Sequence, residues 1–506
     1  MSQALTKTQA LILVFLIIVA VAGVFIAMQW LSSSQSSTTT TPPLTTTTTT
    51  GTTTTTATTT TTTPAGNTIV IGSTVIHVSS EFKQFVEDAK AGRVSVKIYF
   101  GHALTENERK AFQDIISMFK NEYPGIEVVE VAYSGMDVLK SQISAIATLS
   151  PEQRSNYIGK VPDLFTWAHD WIGSFADKGY ILPLEEVLSS DTIINDIAPN
   201  LLPIALSAVT YNLKTYGLPY AGETIALIVN KNLVPNPPAS FDEMLQVMKS
   251  FTNRNTGSYG LSYQADPYHL YPFVTAFGGY YYDEATKSIG VNSTGTKQGI
   301  KFYIQNVLPY VDVSDLGLTY QTNLFLNGKT PMMITGPWNI ATINKSLGLS
   351  NIAIAPLPNI GDKVPKPFSG YRGIYITLMA NVGGRERLYA SVLFTLYVAL
   401  NDNALKILVD KNNYVPVKNT MITYIQENKD KYPIVYGFLT QLMRSVPMPK
   451  DPMMDKVWNV GTYINAILGK YSEALQSGKT VDQAVAETLS VVDQQLDEAY
   501  ASIVGK

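Results

Sequence analysis

Three short stretches of this chain set aromatic rings beside carboxylates or tight-turn residues. The first is Thr166-Trp167-Ala168-His169-Asp170-Trp171. The second is Ala265-Asp266-Pro267-Tyr268-His269-Leu270-Tyr271, followed by Phe277-Gly278-Gly279-Tyr280. The third is Thr335-Gly336-Pro337-Trp338, after the apolar run Met332 to Ile334. Trp167 and Trp171 supply flat apolar faces, and Asp170 a charged acceptor. Gly336-Pro337 forms a turn that pushes Trp338 off a strand end. Taken singly, each stretch reads equally well as core packing. Together they predict a cleft lined by aromatic plates with a few carboxylates. Sugars need that mixture: the C–H faces of a pyranose stack on rings, and its hydroxyl rim needs fixed partners, best served by charged acceptors. A glycoside hydrolase uses the same materials plus a catalytic carboxylate pair. No spacing in the chain sets two carboxylates at a defined separation.

Other chemistries find little support. There is no Gly-x-Ser-x-Gly, P-loop or zinc motif. The four histidines, His77, His102, His169 and His269, lack metal-ligand spacing. With no cysteine there are neither disulfides nor thiolates. No catalytic residue, metal or cofactor is expected. A net charge of −3 gives no bulk field for nucleic acid. Only 15% of residues are charged, against a usual ~25%, which is compatible with an acidic exterior.

The elements that must position these stretches follow from periodicity. Ile69, Ile71 and Val75 suggest a short strand pair, and Glu81 to Ala89 a helix. Val94, Val96, Ile98 and Phe100 alternate as a strand does. Thr105 to Glu108 is a capping box, opening a helix that buries Phe112, Ile115, Ile116 and Phe119 and stops at Pro124-Gly125. Ile126, Val128, Val129 and Val131 form the next strand. Met136 to Thr148 reads as a helix, and Leu164 to Trp167 as a third strand. This rhythm predicts a mostly parallel α/β sheet, placing Trp167 and Asp170 where such sheets bind ligands. Phe241 to Phe251, Thr296 to Val307, Arg385 to Leu400, Met453 to Gln476 and Val481 to Val504 are further helices. Pro235 to Pro238 and Pro356 to Pro367 are candidate turns or inter-domain crossings.

Ahead of this body lie Leu11 to Trp30, uncharged and mostly apolar, and a threonine-dominated tract from Thr38 to Thr63. About 20 apolar residues cross a ~30 Å hydrocarbon core as one helix. A Thr-rich tract with prolines reads as a glycosylated stalk. Residues 1–31 are therefore read as a retained membrane anchor, with residues 32–66 as the stalk and the body outside. A cleaved signal peptide is the alternative. So is a pilin-type signal at Lys7-Thr8-Gln9-Ala10, with the helix kept after cleavage.

The chain resembles the extracellular solute-binding proteins of ABC transporters, specifically the maltose/maltodextrin-binding type in its archaeal, membrane-anchored form. The stretches that carry this are Pro162-Asp163-Leu164-Phe165-Thr166-Trp167-Ala168-His169-Asp170, Leu218-Pro219-Tyr220-Ala221-Gly222-Glu223, Phe277-Gly278-Gly279-Tyr280, Thr335-Gly336-Pro337-Trp338 and Lys366-Pro367-Phe368-Ser369-Gly370. The resemblance implies a bilobed periplasmic-binding-protein-like α/β fold (type II) over 94–506. Lobe 1 is expected over about 94–220 and 367–420, and lobe 2 over about 221–366 and 421–506. Residues 67–93 are an extension without an assigned role. The implied substrate-binding residues are Trp167, Asp170, Glu223, Asp266, Tyr268, Trp338 and Trp458. The implied partners are an oligosaccharide, a permease and, through it, an ATPase. The chain departs from the family at Trp171, where relatives often carry Arg, at Asp266, where they often carry Glu, and after Trp458, where a Tyr and an Arg are replaced by Asn459 and Thr462.

Overall fold

The computed structural model describes residues 67–505. The expected anchor and stalk, residues 1–66, lie outside the described residues. Among the described residues no single helix is long and apolar enough to cross a membrane.

The extension is part of the first lobe's core. Strands β1 (Thr68–Ile71) and β2 (Thr74–His77) pair antiparallel. Their alternation sends Ile69, Ile71 and Ile76 inward and leaves Val70 and Val75 exposed. Helix α1 (Ser80–Lys90) is capped by the Ser79 hydroxyl and buries Phe82, Phe85, Val86 and Ala89. At the β1–β2 turn Gly72 has φ +57°. A Cβ there would lie 3.0 Å from the Asn401 Cα and nearer still to the Leu400 carbonyl. The buried Lys418 ammonium closes this joint. It donates to Ser73 Oγ (2.9 Å), the Leu400 carbonyl (2.7 Å) and Asp402 Oδ2 (2.8 Å). Three acceptors, one of them charged, make burial of that cation tolerable.

The first sheet opens with β3 (Val96–His102), then helix α2 (Glu106–Glu122), β4 (Ile126–Ala132), helix α3 (Met136–Ala147) and β5 (Leu164–Ala168). Strand β3 lies parallel to both β4 and β5. The capping box forms as expected at Thr105 and Glu108. Strand β6 (Gly217–Thr224) then leads out of the lobe. The second sheet has the order β8–β9–β7–β10, from β7 (Ala226–Asn230), β8 (Ser262–Tyr263), β9 (Met332–Thr335) and β10 (Ile352–Ala355). Helices α4 (Pro267–Ala276) and α5 (Ile340–Leu347) flank it in sequence.

The chain returns through β11 (Phe368–Thr377), which lies antiparallel between β6 and β5, with Ser369 opposite Thr224 and Gly373 opposite Trp167. The first sheet is therefore mixed, not mostly parallel. The strand that leaves and the strand that returns cross one boundary in opposite directions, so their pairing is antiparallel. Helices α6 (Arg385–Leu400) and α7 (Asp402–Asn412) follow, and β12 (Val415–Pro416) pairs with β6.

Two expected lobe boundaries shift. Strand β6 stays paired in the first sheet to Thr224, beyond residue 220. Residues 421–447 do not join the second lobe as a block. Ile422, Ile425, Val435 and Phe438 join the core that holds the first sheet's side chains and also takes in Ile228, Met333 and Ile352 of the second. Helix α8 (Pro433–Leu442) packs against β6, β12 and β10, and β13 (Val446–Pro447) pairs with β11. The last crossing thus falls at 448–453. Pro356–Pro367 is a crossing, whereas Pro235–Pro238 is a loop inside the second lobe. The helix expected over Met453–Gln476 is broken at Trp458-Asn459, where Asn459, Gly461 and Thr462 amides bond three residues back. The second core is completed by helices α9 (Val460–Gln476) and α10 (Val481–Val504).

Candidate functional site

Strand β5 ends at Ala168 and the chain turns through His169–Trp171. Buried His169 locks this turn. Its Nε2–H donates to the Met448 carbonyl (2.8 Å), and its Nδ1 accepts from the Tyr371 amide (3.1 Å). Those partners select the neutral imidazole, and burial lowers its pKa to about 4. The Trp167 and Trp171 rings stand 5.6 Å apart. Among the described residues, Asp170 Oδ1 is buried with no hydrogen-bond partner. Burial raises its carboxyl to about 6; its own backbone amide opposes the rise and the Glu223 charge adds to it. An unpartnered buried acceptor is costly unless a ligand supplies the donor.

Glu223 lies one residue before the end of β6. Its Oε2 accepts from Arg372 Nε at 2.9 Å. Arg372 Nη1 donates to Glu108 Oε1 (3.0 Å) and Tyr414 Oη (3.1 Å). The guanidinium also lies 5.3 Å from the Tyr414 ring centre.

From the second lobe, Tyr268 sits in the first turn of α4. Its ring is 6.3 Å from Trp338 and 6.0 Å from Phe368, and Phe368 is 5.9 Å from Trp458. Trp338, 39% exposed, occupies the turn after β9. The Gly336-Pro337-Trp338 sequence has a steric reason: a Cβ on Gly336 would collide with the six-membered ring of Trp338. Only glycine lets that indole fold back over the turn.

Trp167, Glu223 and Trp338 line one cavity of about 570 Å³, together with Glu108, Arg372 and Tyr414. Asp170 and Trp458 line another of about 120 Å³ with Lys140, Trp171, Lys450 and Asp455. The Trp167–Trp171 pair joins the two linings. Tyr268 belongs to the set through its contact with Trp338. Asp266 opens on neither cavity. It is the N-cap of α4, and its carboxylate is engaged by the His269 amide (2.9 Å), the His269 ring Nδ1 (2.9 Å) and Gln264 Nε2 (2.6 Å). It was expected as a direct ligand; here its carboxylate caps α4.

Sequence reasoning missed Arg372 and Tyr414, and read Glu108 only as a cap. A signal was present: Arg372 is the sole charge in Phe368–Thr377. Lys140 was also missed; its ammonium lies 5.0 Å from the Trp171 ring centre. Among the described residues no group of His, Cys, Asp or Glu is placed to hold a metal ion. The arrangement can stack flat apolar faces and accept hydrogen bonds from hydroxyls.

Known proteins share this architecture. The pattern of the bacterial extracellular solute-binding protein family matches residues 114–433. A maltotriose-binding protein of Pyrococcus abyssi is 31% identical over 401 residues, 78% of this chain and 81% of its own. A maltooligosaccharide ABC transporter solute-binding lipoprotein of Streptococcus pneumoniae is 26% identical over 350 residues, 66% of this chain and 78% of its own. Among solved structures, a cyclo/maltodextrin-binding protein complexed with maltotetraose matches with a TM-score of 0.61 and 27% identity, over 79% of this chain and 97% of that one.

Proposed function

Because the chain belongs to the bacterial extracellular solute-binding protein family, we propose that it is the capture subunit of an ABC transporter for maltodextrins. It is a binding protein, not an enzyme. It closes two lobes on an oligosaccharide outside the cell and presents it to a permease, whose ATPase partner drives uptake. The observation that carries this reading is the cleft itself: Trp167 and Trp338 line one cavity with a carboxylate, Glu223, between them in sequence. In the adjoining cavity Asp170 keeps a buried oxygen without a donor. Trp167, Trp338, Tyr268 and Trp458 supply stacking faces. Asp170 and Glu223 accept hydrogen bonds from sugar hydroxyls. Asp266 acts through the helix that carries Tyr268.

The apolar run in residues 1–31 holds the protein at the outer face of the cytoplasmic membrane, with residues 32–66 as the tether. The family and the lipoprotein relative support a surface location. Calorimetry on the full chain in detergent tests the reading. Maltose, maltotriose and maltotetraose should bind, and maltotriose should be recovered uncleaved. Binding of a galactose-based oligosaccharide or a peptide with no maltodextrin response overturns the ligand assignment.

A further inference from the structure

We infer that Arg372 is a positioning residue for Glu223, tying that ligand-facing carboxylate through Glu108 to the N-terminus of α2. The inference deepens the sugar-binding reading and rests on it.

The sheet register makes the arrangement. Gly370 lies opposite Glu223, and Arg372 opposite Ala221. Arg372 is two positions on from Gly370, so the Glu223 and Arg372 side chains share one face of the β6–β11 pair. The pairing slips just past Arg372, where Gly373 faces Pro219 and Tyr220 is the extra residue. Bulges of this kind re-aim side chains beside functional sites.

The two carboxylates that Arg372 touches are not equivalent. Glu108 is saturated. Its Oε1 accepts from Arg372 Nη1 and from the Tyr414 hydroxyl. Its Oε2 accepts from the Thr105 amide and the Thr105 hydroxyl, each at 2.8 Å. Burial would raise its pKa, but the Arg372 charge, the Tyr414 hydroxyl and the Thr105 donors together lower it. Glu108 is therefore an ionised anchor with no lone pair left for a sugar. Glu223, by contrast, has one hydrogen bond among the described residues, at Oε2. Its Oε1 lies toward Gly370, 3.1 Å from where a Cβ would stand. The glycine gives the carboxylate room, the guanidinium fixes one oxygen, and the other remains to accept a hydroxyl.

The fork geometry of Arg allows both contacts at once, with Nε on Glu223 and Nη1 on Glu108. A lysine ammonium is a point charge without that fork. Removing Arg372 also leaves two like charges facing each other across the cavity wall.

The test is a set of affinities measured by calorimetry on the full chain in detergent, for maltotriose and its monodeoxy analogues. Wild type should show one hydroxyl whose loss is penalised and whose penalty disappears in Glu223→Gln. Arg372→Met should weaken maltotriose by about ten-fold or more, the scale of a hydrogen bond to a charged group, and shrink the penalty at that same hydroxyl. Arg372→Lys should recover part of both. Where Arg372→Met does not fold, the isosteric Glu108→Gln takes its place and should shrink the same penalty. Wild-type affinity in the variants, or a uniform loss for every analogue, overturns the inference while leaving the functional reading intact. A wild-type protein that binds no maltodextrin overturns the reading itself and this inference with it.

Discussion

Trp338 rests against Gly336, so a methyl group added two residues away should act on the ligand through the indole. We predict that Gly336→Ala and Trp338→Ala weaken maltodextrin binding to a similar degree, by about 1–3 kcal/mol, the scale of one stacked aromatic face. Calorimetry reads this directly, with a thermal melt to check folding. Unchanged affinity in Gly336→Ala means that the ring reorients at no cost. The turn before Asp170 predicts an opposed pair of pH effects. His169 has a folded pKa of about 4 against an ordinary 6.5. The unfolded chain therefore binds the extra proton, and this contribution to stability is lost as pH falls from about 6.5 toward 4. Asp170 rises from 3.8 to about 6. The folded protein holds that proton, so its contribution is lost as pH rises from about 3.8 to 6. Each amounts to about 3 kcal/mol at ~1.4 kcal/mol per pH unit. Urea unfolding between pH 4.5 and 6.5 should show opposite changes of slope from wild type in His169→Gln and Asp170→Asn. Parallel changes would contradict the assignment.

At the scale of elements, α8 is the piece that contacts both sheets. Gly437 lets it approach β10 closely: a Cβ there would lie 2.6 Å from the Ile354 carbonyl oxygen. Near its other end, Leu442 fills the space that a Cβ on Gly222 of β6 would need. Gly437→Ala should lower stability by about 1–3 kcal/mol through overpacking. It should also change sugar affinity, because the helix bears on strands from both lobes. A variant with normal melting and binding would show that α8 gives way freely. Local pattern made much of this legible in the sequence. The Thr105–Glu108 cap, the β5 turn carrying Trp167 and Asp170, and the Gly336-Pro337-Trp338 turn depend on neighbours a few residues apart. The reach of Arg372 to Glu108 spans 264 residues. The antiparallel entry of β11 depends on a strand paired about 150 positions earlier. The lone charge of Arg372 shows locally, but neither its partner nor the pairing of β11 does, because both arise when the chain returns from the other lobe. Asp266 shows the converse. Its position before Pro267 suits a ligand and a helix cap equally, and only the packed structure shows its oxygens engaged by α4 and Gln264.

For the whole molecule, three passages join the lobes, at 225, 356–367 and 448–453. Closure by rotation about them is the expected response to sugar. Small-angle scattering should give a smaller radius of gyration with saturating maltotriose; an unchanged profile contradicts the clamp. Two truncations separate residues 1–66 from the body. Removing residues 1–66 should leave affinity unchanged and reduce uptake by cells at low sugar. Removing 1–93 takes Ile69, Ile71, Ile76, Phe82, Phe85, Val86 and Ala89 from the first core. Each large apolar side chain so buried contributes about 1.5–3 kcal/mol, so this longer truncation should unfold the first lobe. A normal melting curve for it would show the extension to be an accessory.

The way the extension is fastened also decides how the protein bears a pull. Any tension applied upstream of residue 67 enters at Asn67, beside the Thr68–His77 pair at the open end of the hairpin. Strand β1 is thus loaded in peeling mode, so rungs fail one at a time instead of resisting together in shear. The first bond to give joins the Val78 amide to the Asn67 carbonyl (2.8 Å), while β2 stays fastened at His77 by its amide on Asp196 Oδ2 (2.7 Å) and its carbonyl beneath the Thr192 hydroxyl (2.7 Å). Peeling then runs through Ile69–Ile76 and Val70–Val75 until it meets the turn, where Ser73 is held by Lys418 and Asp402. Four short rungs act as a mechanical fuse ahead of a charged stop. A pull arriving from upstream of residue 67 therefore meets this edge of the first lobe before it reaches any residue lining the cleft.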